Sequence, residues 1–204
     1  MRFKMVKHYK NFNIEKKHKK SIIFIGNFDG LHLGHQKLFQ VAQSYKKKYN
    51  LNIGVINFNP MPKMFFNKKL KNFRISNIDQ KIKLLSKFKV DFIITKKFDK
   101  KFSKTKALSF IKQIINKKLN SRFIFVSNNF KFGKNREGNV KFLIKNEEKY
   151  NYKVIKPKPL IKNKKIVSSS LIRNFLEKGF LRKANKLLNR NWTIEGIVKK
   201  GRQV

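Results

Sequence analysis

Short apolar runs alternate with longer amphipathic stretches along this chain, and the alternation points to one class of fold. The runs fall at 22–25 (Ile-Ile-Phe-Ile), 53–58, 92–95, 123–126 and 152–155. Apolar runs of four to six residues, rich in β-branched and aromatic side chains, read as strands, and nearly continuous ones as strands buried on both faces. Between them the pattern predicts helices over 35–49, 78–88, 105–119 and 137–150. In the third, Leu108, Ile111, Ile114 and Ile115 recur at helical spacing and are expected to face the core. Beyond the last strand, 171–178 and 180–188 read as two short helices split by Gly179, and Trp192 opens an extended tail. The order predicts an α/β fold, a parallel sheet with helices on both faces and a short helical C-terminal part. In such sheets ligands collect beyond the carboxyl ends of the strands.

The 204 residues are 40% hydrophobic, enough for one sizeable core. No window approaches the roughly 18 apolar residues of a membrane span, so no membrane partner is expected. With no cysteine there is neither a disulfide framework nor a thiolate metal site. The basic lead Met1-Arg2-Phe3-Lys4-Met5-Val6-Lys7 has no apolar core or small-residue cleavage site. It reads as a strand or lead-in of the domain, and the protein as cytoplasmic.

A net charge of +42 suggests nucleic acid at first sight. The lysines, however, are spread over the whole chain rather than gathered on a reading element, and no zinc-finger, basic-zipper or RNA-stacking pattern is present. Beside 21 phenylalanines and many isoleucines and asparagines, they match the residue drift of an AT-rich genome. Non-specific contact with RNA at low salt is expected, but no specific recognition.

The candidate chemistry lies at strand ends. Directly after the first strand comes Gly26-Asn27-Phe28-Asp29-Gly30-Leu31-His32-Leu33-Gly34-His35. Gly26 and Gly30 permit unusual backbone conformations and close approach, and the helix that follows presents free N–H groups and a positive dipole end, a setting for phosphates. His32 and His35 share one face of the first turn, with Gly34 leaving space between them. Pre-placed imidazoles and amides suit the charge that develops when a nucleophile attacks the α-phosphate of a nucleoside triphosphate. A plain turn into a helix would look the same, and a His pair at this spacing can also hold zinc. A fourth strand runs into the polar loop 127–138, which holds Asn129, Phe130 and Arg136. Val167-Ser168-Ser169-Ser170-Leu171-Ile172-Arg173 places hydroxyls at a helix start and Arg173 one turn inside, within reach of the same phosphate. The serines also serve as simple caps, and Arg173 reads equally as a solvated charge. Phe58, Phe65, Phe130 and Phe132 are candidate walls for an aromatic ligand.

In this order the three segments resemble the N-terminal adenylyltransferase module of the bacterial bifunctional riboflavin kinase/FAD synthetase family. Stretches such as Phe58-Asn59-Pro60-Met61-Pro62, Val90-Asp91-Phe92-Ile93-Ile94 and Phe98-Asp99-Lys100-Lys101-Phe102 extend the likeness over roughly 21–200. The resemblance implies a Rossmann-like nucleotidyltransferase fold and transfer of AMP from ATP to FMN with Mg²⁺, giving FAD and pyrophosphate. It implies catalytic roles for His32, His35 and Arg173, and ATP contacts from Gly26, Asn27, Phe28, Asp29, Gly30, Gly34, Ser169 and Ser170. FMN contacts would come from Asn129, Phe58, Phe130 and Arg136. Asp29 is close enough to the phosphate loop to help hold Mg²⁺, or it caps the turn. The small molecules ATP and FMN are the expected partners of a monomer.

Ser127 stands where the family has glycine, Asn59 where glutamate is common, Ser170 where threonine is usual, and Ile166 where a basic residue precedes the serines. Lys164 or Lys165 can supply that charge, so reduced rather than abolished activity is expected. Residues 1–190 read as the adenylyltransferase domain. Residues 191–204 resemble the first strand of the kinase domain and are too short to phosphorylate riboflavin. Two alternatives stay open: another nucleotidyltransferase with a different acceptor, such as nicotinamide mononucleotide or phosphopantetheine, and a decayed basic RNA-associated protein.

Overall fold

A computed structural model describes residues 6–70, 73–196, 198 and 201. The first half runs β1 (Lys7–Tyr9), β2 (Ile22–Ile25), α1 (Leu33–Tyr49), β3 (Ile53–Asn59), α2 (Pro62–Phe66), α3 (Ile78–Ser86) and β4 (Phe92–Lys97). Next come α4 (Lys100–Ser103), α5 (Ala107–Ser109), a π-wound stretch Phe110–Lys118 and β5 (Phe123–Phe125). The rest comprises β6 (Lys131–Phe132), β7 (Gly138–Asn139), α6 (Val140–Lys145), β8 (Lys153–Ile155), β9 (Ile161–Lys162), β10 (Lys165–Ile166), α7 (Ser169–Glu177) and α8 (Leu181–Leu188).

Six strands make one parallel sheet in the order β1-β4-β3-β2-β5-β8. From β2 the chain moves outward through β3 and β4, then crosses to β5 on the other side of β2. The order therefore reverses between β2 and β5, which opens a crevice at their carboxyl ends. Alternate residues of the central strands face opposite layers, as the two-residue pleat requires. Ile23, Ile25, Ile56, Ile94 and Ile124 enter one apolar cluster, and Ile22, Phe24, Val55, Ile93 and Phe125 the other. A smaller third cluster joins Ile75, Val167, Ile172, Ala184, Leu187 and Leu188 beside the crevice.

All five predicted strands are present, within one to two residues of their expected ends. The lead segment contributes β1, paired in register Lys7↔Phe92 along the outer edge of β4, although residues 1–5 lie outside those described. Three readings need correction. The third predicted helix is α5 plus the π-wound stretch, and its buried stripe is Ala107, Phe110, Ile111, Ile114 and Ile115. Leu108 is exposed because Ala107 and Phe110 occupy the core-facing arc that it was expected to share. The fourth predicted helix is confined to α6: Gly138 and Asn139 pair with β6, and the Asn139 side chain accepts from Phe142 N–H as an N-cap. The tail 191–196 makes no strand, and 197, 199–200 and 202–204 lie outside the described residues.

Candidate active site

The β2 strand ends in Gly26, and the chain then makes a tight pass through Phe28 (φ 46°), Gly30 (φ 75°) and Leu31 (φ 42°) before α1 begins. Two of these left-handed residues carry side chains, a strained arrangement of the kind found at functional loops. Phe28 is anchored by its ring, which meets Phe24, Phe39 and His35. His32 is the N-cap of α1 and His35 lies in its first turn, so the two rings stack with centroids 3.7 Å apart. Both Nδ1 atoms are buried and have no hydrogen-bond partner among the described residues. Burial pushes His32 down to about 4, with the charges of Arg173 and Arg190 acting in the same direction. Burial likewise holds His35 well below the ordinary range, helped by His32 and Lys81. At neutral pH the pair is uncharged, and each ring can give or take one hydrogen bond without a proton being moved first.

Asp29 is buried and its carboxylate is fully engaged. Ile75 N–H donates to both oxygens at 3.1 Å, Ser76 N–H to Oδ1 at 3.3 Å, and the Arg173 guanidinium to Oδ2 at 2.8 Å. Three donors, Ile75 N–H, Ser76 N–H and Arg173, thus compete with the metal-holding role raised for Asp29. The acid does not cap its own turn, since it binds the backbone of the 73–76 loop. No cluster of three or more His, Cys, Asp or Glu side chains that could hold a metal occurs among the described residues.

Arg173 is 16% exposed, lies over the Phe73 ring at 4.0 Å, and faces a cavity of about 300 Å³. It is not the solvated surface charge that its sequence context also allowed. Of the three serines only Ser168 caps α7, accepting from Leu171 N–H at 3.2 Å. The Ser169 hydroxyl donates to Asp29 O at 2.8 Å, which ties the α7 start to the glycine loop, and Ser170 lines the cavity.

That cavity sits at the β2/β5 reversal and gathers Gly26, Asn27, Asp29, His35, Ser170 and Arg173. A second cavity of about 400 Å³ shares the wall residue Ile25 and is lined by aromatic rings, among them Phe58, Phe98 and Phe130, with Arg136 at its polar end. Three of the four residues tied to FMN thus meet in one place. The fourth, Asn129, belongs to a third cavity of about 420 Å³ with His32, His35 and Ser169, and its side chain accepts from the Ser127 hydroxyl. Two glycines are closely approached by other parts of the chain. Gly34 lines the third cavity beside both histidines, and a Cβ there would lie 3.1 Å from the His32 ring and 3.3 Å from Val167 O, so only a glycine fits without displacing them. A Cβ on Gly30 would strike Ile75 and Leu188.

Sequence reasoning missed the 73–76 loop. It supplies Phe73 beneath Arg173, Ile75 and Ser76 on Asp29, and Arg74, whose guanidinium donates to Asn59 Oδ1 while its Nε is buried and unpartnered among the described residues. The signal that could have found it is the capping box Asn77-x-x-Gln80, which marks where α3 starts and so what precedes it. Lys81 on α3 was also missed. It is 5% exposed, and burial brings it down to about 8 although Asp29 opposes the shift.

An α/β sheet with a glycine loop, a histidine pair and a cationic helix start at its reversal point defines a phosphate-handling site of the nucleotidyltransferase kind. Residues 14–171 match the family described as FAD synthetase, and the chain belongs to that family. It is 40% identical over 192 residues to a bifunctional riboflavin kinase/FMN adenylyltransferase of Buchnera aphidicola, covering 94% of this chain and 61% of that one. It is 30% identical over 183 residues to an FAD synthetase of Listeria monocytogenes, covering 89% and 73% respectively. A crystal structure described as a macrolide-efflux protein from Streptococcus pneumoniae superposes with a TM-score of 0.79 at 26% identity, over 92% of this chain and 61% of that one. The chain thus spans about three fifths of the length of the bifunctional relatives. No helix among the described residues is long and apolar enough to cross a membrane.

Proposed function

We propose that this chain is an FMN adenylyltransferase, making FAD and pyrophosphate from ATP and FMN in the cytoplasm. The observation that carries the reading is the shared wall at Ile25. It sets a cationic, donor-rich cavity beside an aromatic cavity of about 400 Å³, the pairing that a triphosphate and a flavin ring require. A phosphate oxygen of FMN attacks the α-phosphorus of ATP. The new P–O bond forms as the bond to the bridging oxygen of pyrophosphate breaks. His32 and His35 donate to the oxygens on which charge builds, and Arg173 with the first amides of α7 neutralises the departing pyrophosphate. Phe58 and Phe130 flank the isoalloxazine, and Arg136 meets its polar side. Asn129, across the histidines, serves the nucleotide instead.

Mg²⁺ supplies charge neutralisation on ATP phosphates. The Asp29 carboxylate is committed to Arg173 and two backbone amides, and Asn27 Oδ1, buried in the same cavity and unpartnered among the described residues, is the oxygen that would face such an ion. The proposed steps use only residues of the chain. Residues 1–190 form the adenylyltransferase module and act as a monomer, and the segment from 191 corresponds to the start of the kinase part of the longer relatives.

The test gives the purified protein ATP and Mg²⁺ with FMN in one tube and riboflavin in another, followed by flavin chromatography. FAD from FMN, with no FMN from riboflavin, is expected. No adenylylated flavin would overturn the reading. Turnover of nicotinamide mononucleotide or phosphopantetheine would reassign the acceptor, and a salt-dependent RNA shift without ATP turnover would favour the RNA-associated alternative.

A further inference from the structure

The loop 73–76 holds the inner parts of the site, and a segment unused by the proposed chemistry holds the loop from outside. Trp192 Nε1–H donates to Ile75 O at 2.9 Å, while Ile75 N–H is spent on the Asp29 carboxylate. One buried residue is thus gripped on both of its peptide faces, by the site on one and by the indole on the other. Trp192 is itself fixed, since its N–H donates to Asn185 Oδ1 on α8 at 2.8 Å. The next residue is tied to α3, with Gln80 Nε2 donating to Thr193 O at 3.1 Å. The indole also packs on the third apolar cluster, which contains Ile75 together with Ile172 of α7, the residue before Arg173.

We infer that Trp192 is a positioning residue for the adenylyl transfer: its indole latches the 73–76 loop and, through Asp29 and Phe73, sets the Arg173 guanidinium over the phosphate cavity. Without the indole N–H, the part-buried carbonyl of Ile75 loses its protein partner, and the restraint that holds the loop against Trp192 goes with it. Released from the indole, the loop is freer to shift, and any shift moves the two amides that hold Asp29. Arg173 follows, being bound to Asp29 on one side and stacked on Phe73 on the other. The kinetic part of this inference rests on the AMP-transfer reading.

The test uses Trp192→Phe, which keeps an aromatic ring and removes the donor. The kcat for AMP transfer should fall about fivefold, the typical worth of one hydrogen bond, with KM for FMN unchanged. In an Arg173→Ala background the same substitution should cost nothing further, because the guanidinium it positions is gone. Lys83→Ala, which deletes an exposed pair with Glu195, serves as the neutral control. Full kcat in Trp192→Phe, or an equal loss in both backgrounds, would overturn the inference. A second arm needs no turnover. Trp192 is the single tryptophan of the chain, so its emission reports the latch directly. Asp29→Asn and Arg173→Lys should each raise acrylamide quenching of that emission in the folded protein. Unchanged quenching in both would refute the coupling. If the wild-type chain makes no FAD, the activity reading fails and the fluorescence arm alone decides the latch.

Discussion

Replacing His32 with Asn should make this protein markedly less sensitive to mild acid. The folded-state value of His32 is about 4, against the ordinary 6.5 of an unfolded chain. The unfolded state therefore takes up its proton first, and folding stability is complete above pH 6.5 and is lost as the pH falls from 6.5 toward 4. Each group in that window costs up to about 1.4 kcal/mol per pH unit. Integrated from pH 7.5 to pH 5.0, His32 accounts for about 2 kcal/mol, a large share of the 5–15 kcal/mol typical of a domain. His35, His8 and His18 are also lowered by burial, so the wild-type loss is larger than this share. The variant isolates the contribution, because Asn occupies the cap position without a titrating ring. Urea unfolding at pH 7.5 and 5.0, for wild type and His32→Asn, measures it. The wild type should lose about 2 kcal/mol more than the variant over that interval. Equal losses would mean that the stacked pair is not held neutral, and the account of the site's electrostatics would fall with it.

Removing the Arg173 fork should separate activity from folding: Arg173→Lys keeps a cation near Asp29 but is expected to cut AMP transfer about a hundredfold, read by FAD formation. Arg173→Ala should also cost about 3 kcal/mol in chemical denaturation, since it leaves a carboxylate of 3% exposure without its ion-pair partner. Phe130→Ala, which opens the aromatic cavity, should raise KM for FMN about tenfold through lost stacking and apolar contact and leave KM for ATP unchanged, as steady-state kinetics with each substrate varied will show. Gly54→Ala should destabilise by about 1–3 kcal/mol, because the new Cβ would lie 2.2 Å from the Phe92 ring in the middle of the sheet. A calorimetric Tm equal to wild type would contradict that.

Features written by local chemistry were legible in the sequence. The β2 run Ile22–Ile25, the glycines beyond it and the His32/His35 spacing each follow from a few adjacent residues, and the structure has the strand, the turn and the stacked rings. The Ser168 cap and the position of Arg173 one turn inside α7 were equally local. What sequence could not give was the use of each group once distant parts met. Asp29 was open to a metal or a turn because nothing near it in sequence says that Arg173 and the amides of Ile75 and Ser76 arrive to take its oxygens. That Gly34 also meets the Val167 carbonyl could not be seen, because that carbonyl lies far along the chain. The π-wound stretch hid for another reason. Ala107, Phe110, Ile111, Ile114 and Ile115 fit ordinary helical spacing, and a winding defect does not alter that stripe.

The ion pair between Asp29 and Arg173 joins residues 144 positions apart. During synthesis at about 5–20 residues per second, the glycine loop waits about 7–30 s for its arginine to be made. Through that interval the carboxylate lacks its ion-pair partner and has only the neighbouring charge of Lys81, so the crevice stays solvated and open while the sheet behind it assembles. Closing the site is then among the last events of folding. Recovery of FAD synthesis after dilution from denaturant should accordingly trail the return of sheet structure, and enzymatic output would time the end of the process rather than its middle.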